Sequence, residues 1–299
     1  MKNNQKKAFF FDFDGTLWFG KYGEKTLKAI LKLKEQGHLL VYNSGRSKGN
    51  NPAERLKPVP FDAFLCGGCN AEIFGEVVFR KDFSKEQMQK VLKIERDFDL
   101  DNLYEGVVGV YKRRGILPVF NGEELDDISV LLDVKTYPIS KFCIIKKEKE
   151  KRQYLPAPKE AIEKLSDEFD VIEFSNYYEV TQKGTGKDVL CKLLIQKLGL
   201  KIENCYFFGD SLNDLSAFLL GGNNVAIGHS PDALKQKAQF VTTLEEDGIY
   251  EALVHFGFIE ETLWRSLTRK AENLQNSTCE KSSFLLPHKT SWIIFVFLI

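Results

Sequence analysis

An α/β fold is predicted here, with an open, mainly parallel sheet interrupted by a second, α+β module. Three observations predict it. Apolar runs alternate with helical patterns at the start of the chain, as in Phe9-Phe10-Phe11, a helix, then Leu39-Leu40-Val41-Tyr42. These runs stop abruptly on polar or charged residues, the first at Asp12 and Asp14, the second at Asn43-Ser44. The alternation breaks off after Arg80 and returns from Asp188, so two pieces of one sheet flank an insert.

The elements follow in order. The opening strand leads to a helix over Glu24 to Gln36, with Leu27, Ile30 and Leu31 as its apolar face and Gly37 as its stop. Leu39 to Tyr42 closes a strand, helix, strand unit, which favours a parallel, Rossmann-like layer arrangement. In the insert, Ser84 with Gln87 has the form of a capping box, and Met88, Val91 and Leu92 give the next helix its face. Strands are expected at Val107 to Tyr111, Phe142 to Ile145, Val171 to Phe174 and Tyr178 to Thr181, the last two joined by a turn at Ser175-Asn176. A helix is expected near Pro158 to Phe169, and the charge run Lys146 to Arg152 reads as a solvated edge or loop. The parallel pattern resumes with a helix at Asp188 to Leu198, its inward residues Val189, Leu190, Leu193 and Leu194. Then come a strand at Cys205 to Phe208, a short helix to Leu220 and a strand at Asn224 to Ile227. The expected division is 1–81 and 183–260 for the core, 82–182 for the insert and 261–299 for an extension.

The bulk composition bounds the rest. With 42 basic and 42 acidic side chains in 299 residues, no charge excess points to nucleic acid or a membrane surface. Six cysteines in a chain this long do not form a disulfide framework. The start, Met1 to Lys7, is polar and has no signal-peptide pattern, so a cytoplasmic protein is expected. The last apolar run, Ser291 to Ile299, is shorter than the roughly 20 residues that span a bilayer and reads as a packed or loosely ordered extension.

Four groups carry chemistry. Asp12 and Asp14 end the first strand; a buried strand that ends in charge needs partners such as a metal ion. Asp12 can serve as ligand and nucleophile, Asp14 as proton donor, with Gly15 allowing the turn. Ser44 and the Gly45 N–H, at the second strand end, suit phosphate oxygens. Lys187, at a helix start, adds a fixed cation to the helix dipole. Asp210, after the third strand, can complete a magnesium site of hard oxygen ligands, and Asn213 and Asp214 face the same edge from one turn into the next helix. Each has a plainer reading: a strand-to-turn end, a simple turn, a surface lysine, a helix N-cap. Those readings must all hold together to remove the site. A P-loop around Gly186-Lys187 is excluded, because Thr181 and Asp188 stand where it requires Gly and Ser or Thr. Cys66-Gly67-Gly68-Cys69 precedes a strand rather than a helix, so it reads as a glycine turn with incidental thiols.

In this order the set resembles the haloacid dehalogenase superfamily, in its phosphatase branch. Asp12-Phe13-Asp14-Gly15-Thr16 resembles the first motif, Ser44 the second, Lys187 the third, and Gly209-Asp210 with Asn213-Asp214 the fourth. The insert, Glu179-Val180-Thr181 and Asn224 to Gly228 resemble the Cof-type subgroup, whose insert is an α/β cap. The resemblance runs from Ala8 to Gly257; Cys69-Asn70-Ala71 and His229 depart from the family pattern. It implies a Mg2+-dependent phosphatase of small phosphorylated metabolites, sugar phosphates foremost, working through an aspartyl-phosphate. Asp12 would attack phosphorus; Asp12, Asp210 and the Asp14 carbonyl would hold Mg2+; Ser44, Gly45, Lys187 and Asn213 would hold the phosphoryl oxygens. Asp14 would act as acid and base with a raised pKa, and Asp214 would orient metal-bound water. Arg46 is a candidate for substrate contact. A monomer or small homo-oligomer is expected. A phosphotransferase or mutase on the same site, or a phosphometabolite-binding protein without catalysis, are the alternatives.

Overall fold

The computed structural model describes residues 6–115, 122–150 and 153–260, so the extension at 261–299 lies outside the described residues. The core begins with β1 (Ala8–Phe11), α1 (Glu24–Glu35) and β2 (Leu39–Ser44), followed by the short α2 (Ala53–Leu56), then β3 (Ala63–Cys66), β4 (Asn70–Ile73) and β5 (Glu76–Arg80). The insert holds α3 (Lys85–Phe98), β6 (Asp101–Gly106), β7 (Val110–Arg113), β8 (Glu123–Leu125), β9 (Ile139–Ile145), β10 (Glu148–Glu150), β11 (Gln153–Tyr154), α4 (Lys159–Ser166), β12 (Phe169–Glu173) and β13 (Tyr177–Gln182). The core resumes with α5 (Lys187–Lys197), β14 (Cys205–Gly209), α6 (Leu215–Phe218), β15 (Asn223–Ala226), α7 (Asp232–Lys235), β16 (Phe240–Val241) and α8 (Gly248–His255).

Eight core strands form one sheet in the order β16-β15-β14-β1-β2-β3-β4-β5, parallel from β16 to β3. β1 is central, and both its faces are buried. Phe9 and Phe11 join α1 and α8 residues such as Ile30, Leu33, Ile249 and Leu253, whereas Ala8 and Phe10 join Leu190, Leu194, Phe218 and Leu234 on the other side. The aromatic rings pair in register with β14: Phe9 with Tyr206, Phe10 with Phe207 and Phe11 with Phe208, at centroid distances of 5.0, 4.6 and 4.9 Å. A continuous apolar run of this kind is what a parallel strand covered on both faces requires. The chain leaves β1 toward β2 on one side and reaches β14 on the other, so the strand ends at Asp12, Ser44 and Asp210 share one edge at a topological switch point.

The insert makes its own six-stranded sheet, β12-β13-β9-β6-β7-β8, with α3 and α4 packed on one face around Tyr104, Phe142, Met88 and Leu165. The Ser84–Gln87 capping box is present in full. Several local expectations shift. The inward side of α1 is Ala29, Ile30 and Leu33 with Thr26, while Leu31 is exposed, because the burial stripe follows the 3.6-residue period one position earlier. In α5 Lys187, Leu190, Cys191 and Leu194 are buried, in place of Val189. Residues 107–109 form a turn rather than strand: β6 ends at Gly106, whose N–H is bonded back to the Gly109 carbonyl at 3.0 Å. α4 ends at Ser166, since Phe169 already begins β12. Lys146 in the charge run is buried, bonded to Glu173 and the Phe174 carbonyl at 2.6 and 2.7 Å.

Candidate active site

β1 delivers Asp12 to the sheet edge as a buried carboxylate, its N–H still bonded to the Phe208 carbonyl of β14 at 3.0 Å. α5 delivers Lys187. Its Nζ lies 2.6 Å from Asp12 Oδ1 and 2.6 Å from Asp214 Oδ1. The other Asp214 oxygen accepts from the N–H groups of Asp210 and Ser211 at 3.1 and 3.0 Å. Asp214 is therefore engaged on both oxygens. Thr16 Oγ1 donates to Asp210 Oδ1 at 2.9 Å, tying the first strand end to the third.

Glycines let these elements approach. Gly15 has φ +81°, and a Cβ on it would sit 2.6 Å from Asp210 Oδ2. The turn after Asp12 therefore passes against the Asp210 carboxylate. The Cys66-Gly67-Gly68-Cys69 turn joins antiparallel β3 and β4, and the Gly68 carbonyl accepts from the Gly186 N–H at 3.0 Å. A Cβ on Gly68 would lie 2.7 Å from the Gly186 backbone, so this turn seats the start of α5 and with it Lys187. Both thiols are buried, and burial pushes them up to about 11 and about 12, which suits a structural role.

The electrostatics centre on one ammonium among three carboxylates. Burial pushes Asp12 well up, Lys187 opposes it, and the charges of Asp214 and Asp210 add to the rise. Asp214 is likewise raised by burial against the pull of Lys187. Burial opposes the charge on Lys187, yet Asp12 and Asp214 outweigh it and raise its pKa. The knot carries a formal excess of two negative charges (three carboxylates against one ammonium). Asp12, Asp210 and Asp214 each offer an oxygen, all within 4.8 Å of one another. Asp12 and Asp210 leave room for a hard divalent cation, which would remove the excess charge, while Asp214 is already engaged on both oxygens.

Beside the knot lies a cup of polar groups. Ser44 Oγ accepts from the Arg46 N–H at 3.2 Å and lies within hydrogen-bonding reach of the Tyr42 hydroxyl. Asn213 Oδ1 is taken by Ser211 Oγ at 2.9 Å, which turns the amide group outward. Its Nδ2 would lie 2.7 Å from a Cβ on Gly45, so Gly45 and Asn213 converge. The structure thus brings Asp12, Lys187, Asp210 and Asp214 into one contact network, with Ser44, Gly45 and Asn213 alongside.

Asp14 differs from its expected setting. Its carboxylate is half exposed and is gripped by Arg46 through both oxygens, Nε to Oδ2 at 2.5 Å and Nη2 to Oδ1 at 2.9 Å. Arg46 Nη1 also donates to the Asn50 carbonyl at 3.3 Å, so three of the five guanidinium N–H groups are engaged within the protein. His229, a departure in the sequence pattern, stands with Nε2 3.4 Å from Asp210 Oδ2, and that contact raises its pKa despite burial. Sequence reasoning missed Glu105 and Lys141, and gave no site role to Glu179 of the Glu179-Val180-Thr181 phrase, although all three charged residues of the insert lie against the Gly45 to Asn50 loop. Lys141 Nζ donates to the Gly45 carbonyl at 2.7 Å. The available signal was their phase, alternating with Leu103 and Cys143 along β6 and β9.

A parallel α/β core, a sheet-bearing insert and paired carboxylates with a lysine at one sheet edge define a hydrolase class. The family model for haloacid dehalogenase-like hydrolases matches residues 9–253. A Streptococcus pyogenes protein, provisionally named a bifunctional phosphatase/peptidyl-prolyl cis-trans isomerase, is 28% identical over 88% of this chain; the match spans only 56% of that protein's length. The Bacillus subtilis 5-amino-6-(5-phospho-D-ribitylamino)uracil phosphatase YcsE is 26% identical over 84% of this chain and 95% of its own. Among solved structures, the phosphatase BT1666 from Bacteroides thetaiotaomicron aligns with a TM-score of 0.73 at 22% identity, covering 86% of this chain and 97% of its own. The chain belongs to the haloacid dehalogenase-like hydrolases. Within them it is a phosphatase of the Cof type. Among the described residues no helix is long and apolar enough to cross a membrane.

Proposed function

We propose that the chain is a Mg2+-dependent phosphatase of small phosphorylated metabolites, sugar phosphates foremost, acting through an aspartyl-phosphate on Asp12. One observation carries this reading: the buried Asp12–Lys187–Asp214 knot beside Asp210, bordered by the polar groups of Ser44, Gly45 and Asn213. A binding protein would need the donors, but not a buried carboxylate aimed beside them.

Asp12, Asp210 and the Asp14 carbonyl would hold Mg2+, which when bound offsets the repulsion between carboxylate and phosphate. Asp214, engaged on both oxygens, positions Lys187 and the Asp210 turn rather than serving as a ligand. A carboxylate oxygen of Asp12 attacks phosphorus, and the bond from phosphorus to the leaving oxygen breaks. Ser44, the Gly45 N–H, Lys187 and Asn213 hold the phosphoryl oxygens as charge shifts. Asp14 gives its proton to the leaving alcohol, then takes one from the water that attacks the aspartyl-phosphate and frees Asp12 and phosphate. The Arg46 grip implies that one Asp14 oxygen is released from Arg46 for this exchange. The insert, 82–182, would act as a cap that limits water and meets the leaving group.

Support for a metabolite substrate comes from the relatives. YcsE is named for a phosphorylated ribitylaminouracil, and a Klebsiella pneumoniae relative is named HMP-PP phosphatase. The test is a panel of phosphate esters, assayed for inorganic phosphate with Mg2+. Phosphate release from a subset is expected. Isomerised hexose phosphate without phosphate would mean a mutase, and no conversion of any ester would overturn the reading.

A further inference from the structure

The insert turns one sheet face toward the core, and that face is not uniformly apolar. Leu103, Cys143 and Ile145 form a small cluster on it. In phase with them stand Glu105, Lys141 and Glu179, with relative exposures of 3, 2 and 8%. Glu105 and Lys141 are register partners on β6 and β9, and Glu179 pairs with Cys143 across β13 and β9. Three charges buried on one face are costly unless paired. Their pairing runs into the core. Lys141 Nζ donates to Glu179 Oε2 at 2.5 Å and to the Gly45 carbonyl at 2.7 Å, while Glu105 accepts from the Ser47 N–H at 3.2 Å and Asn50 Nδ2 at 3.1 Å.

The charged face is thus fastened to the loop that follows Ser44. Glu179 Oε2 lies 3.7 Å from the position of a Cβ on Gly45, the same point that Asn213 Nδ2 approaches to 2.7 Å. Its carboxylate therefore stands beside Gly45, on the insert's side of the cup formed by Ser44, Gly45 and Asn213. Lys141 engages Oε2, whereas Oε1 has no hydrogen-bond partner among the described residues, and the side chain keeps 10% exposure. The three residues carry a formal charge of minus one (two carboxylates, one ammonium), so the ammonium is already spent.

We propose that Glu179, held in place by Lys141, selects phosphate monoesters whose leaving group presents neutral hydroxyls and rejects those carrying a second anion there. A hydroxyl donates to the open Glu179 oxygen in a charge-assisted bond. A carboxylate or further phosphoryl group in the same place meets the like charge of Glu179, whose one ammonium partner, Lys141, is already shared between Glu179 and the Gly45 carbonyl. This rests on the phosphatase reading of the Asp12 site, and names its substrate class: monophosphates of polyols and sugars, not of acids.

The test uses a matched pair, glycerol phosphate as its primary ester and phosphoglycerate esterified at the same carbon, with p-nitrophenyl phosphate as reference. The full chain with Mg2+ is expected to favour glycerol phosphate in kcat/KM by about tenfold or more. Glu179→Gln should shrink that ratio by about fivefold or more, mainly through KM. Equal or reversed preference in the unaltered chain overturns the inference, whether or not the variant folds. So does a Glu179→Gln that scales all three esters by one factor. Turnover of p-nitrophenyl phosphate with the wrong ranking removes this inference alone; no turnover of any ester removes the phosphatase reading with it.

Discussion

Lys187 should be worth more to the fold than any other single charge at the sheet edge. Its Nζ meets Asp12 and Asp214 at 2.6 Å each, with 3% of the side chain exposed. The two carboxylates raise its pKa, so it is charged at neutral pH. Lys187→Met leaves Asp12 and Asp214 buried with no cation between them. Stripping one partner from a buried ion pair costs about 3–5 kcal/mol. At about 2–4 °C per kcal/mol for a chain of this size, Tm falls by about 6–20 °C. Asp214→Asn in the same chain removes one stranded charge, and an amide oxygen can still accept from the Asp210 and Ser211 N–H groups. The double variant should therefore regain about 1–3 kcal/mol against the sum of the single losses. Thermal and urea unfolding of the four proteins in chelator measures this cycle. Additive losses, or a Lys187→Met whose Tm stays within about 2 °C of the parent, would refute the reasoning.

Three further outcomes follow from the geometry. Gly15→Ala places a Cβ against Asp210 at φ +81°, a conformation costing an L-residue about 1–2 kcal/mol. It should lower Tm and shrink the Tm gain on adding Mg2+; an unchanged Mg2+ response counts against Asp210 as a ligand. Arg46→Lys loses the two-pronged grip on Asp14, so kcat should fall about tenfold for alkyl phosphates and less for p-nitrophenyl phosphate, whose leaving group needs little acid. Equal losses on both would detach Arg46 from the acid step. Burial alone would raise Glu105, but Lys141, Ser47 and Asn50 outweigh it and hold its pKa below the ordinary carboxylate value. A lowered folded pKa stabilises above the unfolded value of about 4.3, and that contribution is lost as pH falls through the folded value. Glu105→Gln should therefore lose stability at neutral pH, the gap closing on acidification; a constant gap from neutral pH to about pH 3 contradicts the assignment.

How far the sequence reaches depends on what each side chain does. The site residues were legible because carboxylates and a hydroxyl interrupt apolar runs at strand ends, which is costly without a ligand. Asp12, Ser44 and Asp210 fall on one edge because β1, β2 and β14 are neighbours, and strand alternation with helices anticipates that. The Asp14–Arg46 pair was not legible: two loop residues 32 apart meet through a geometry that only the folded edge creates. Lys141 was missed for another reason. Within Ile139-Ser140-Lys141-Phe142-Cys143 a lysine reads as a solvated position, yet the core covers that face and Glu179 and Glu105 neutralise the charge. In α1 the stripe was misplaced because Leu31 is bulkier than Ala29, although only Ala29 lies on the packed side.

The central claim is that Asp12 takes the phosphoryl group. The direct measurement is rapid acid quenching of the full chain during turnover of a phosphoryl-labelled substrate, followed by peptide mapping. Label on the peptide containing Asp12, absent from Asp12→Asn along with turnover in a protein of unchanged fold, is the expected result. Label on another residue, or phosphate release by Asp12→Asn at the parent rate, would contradict the account.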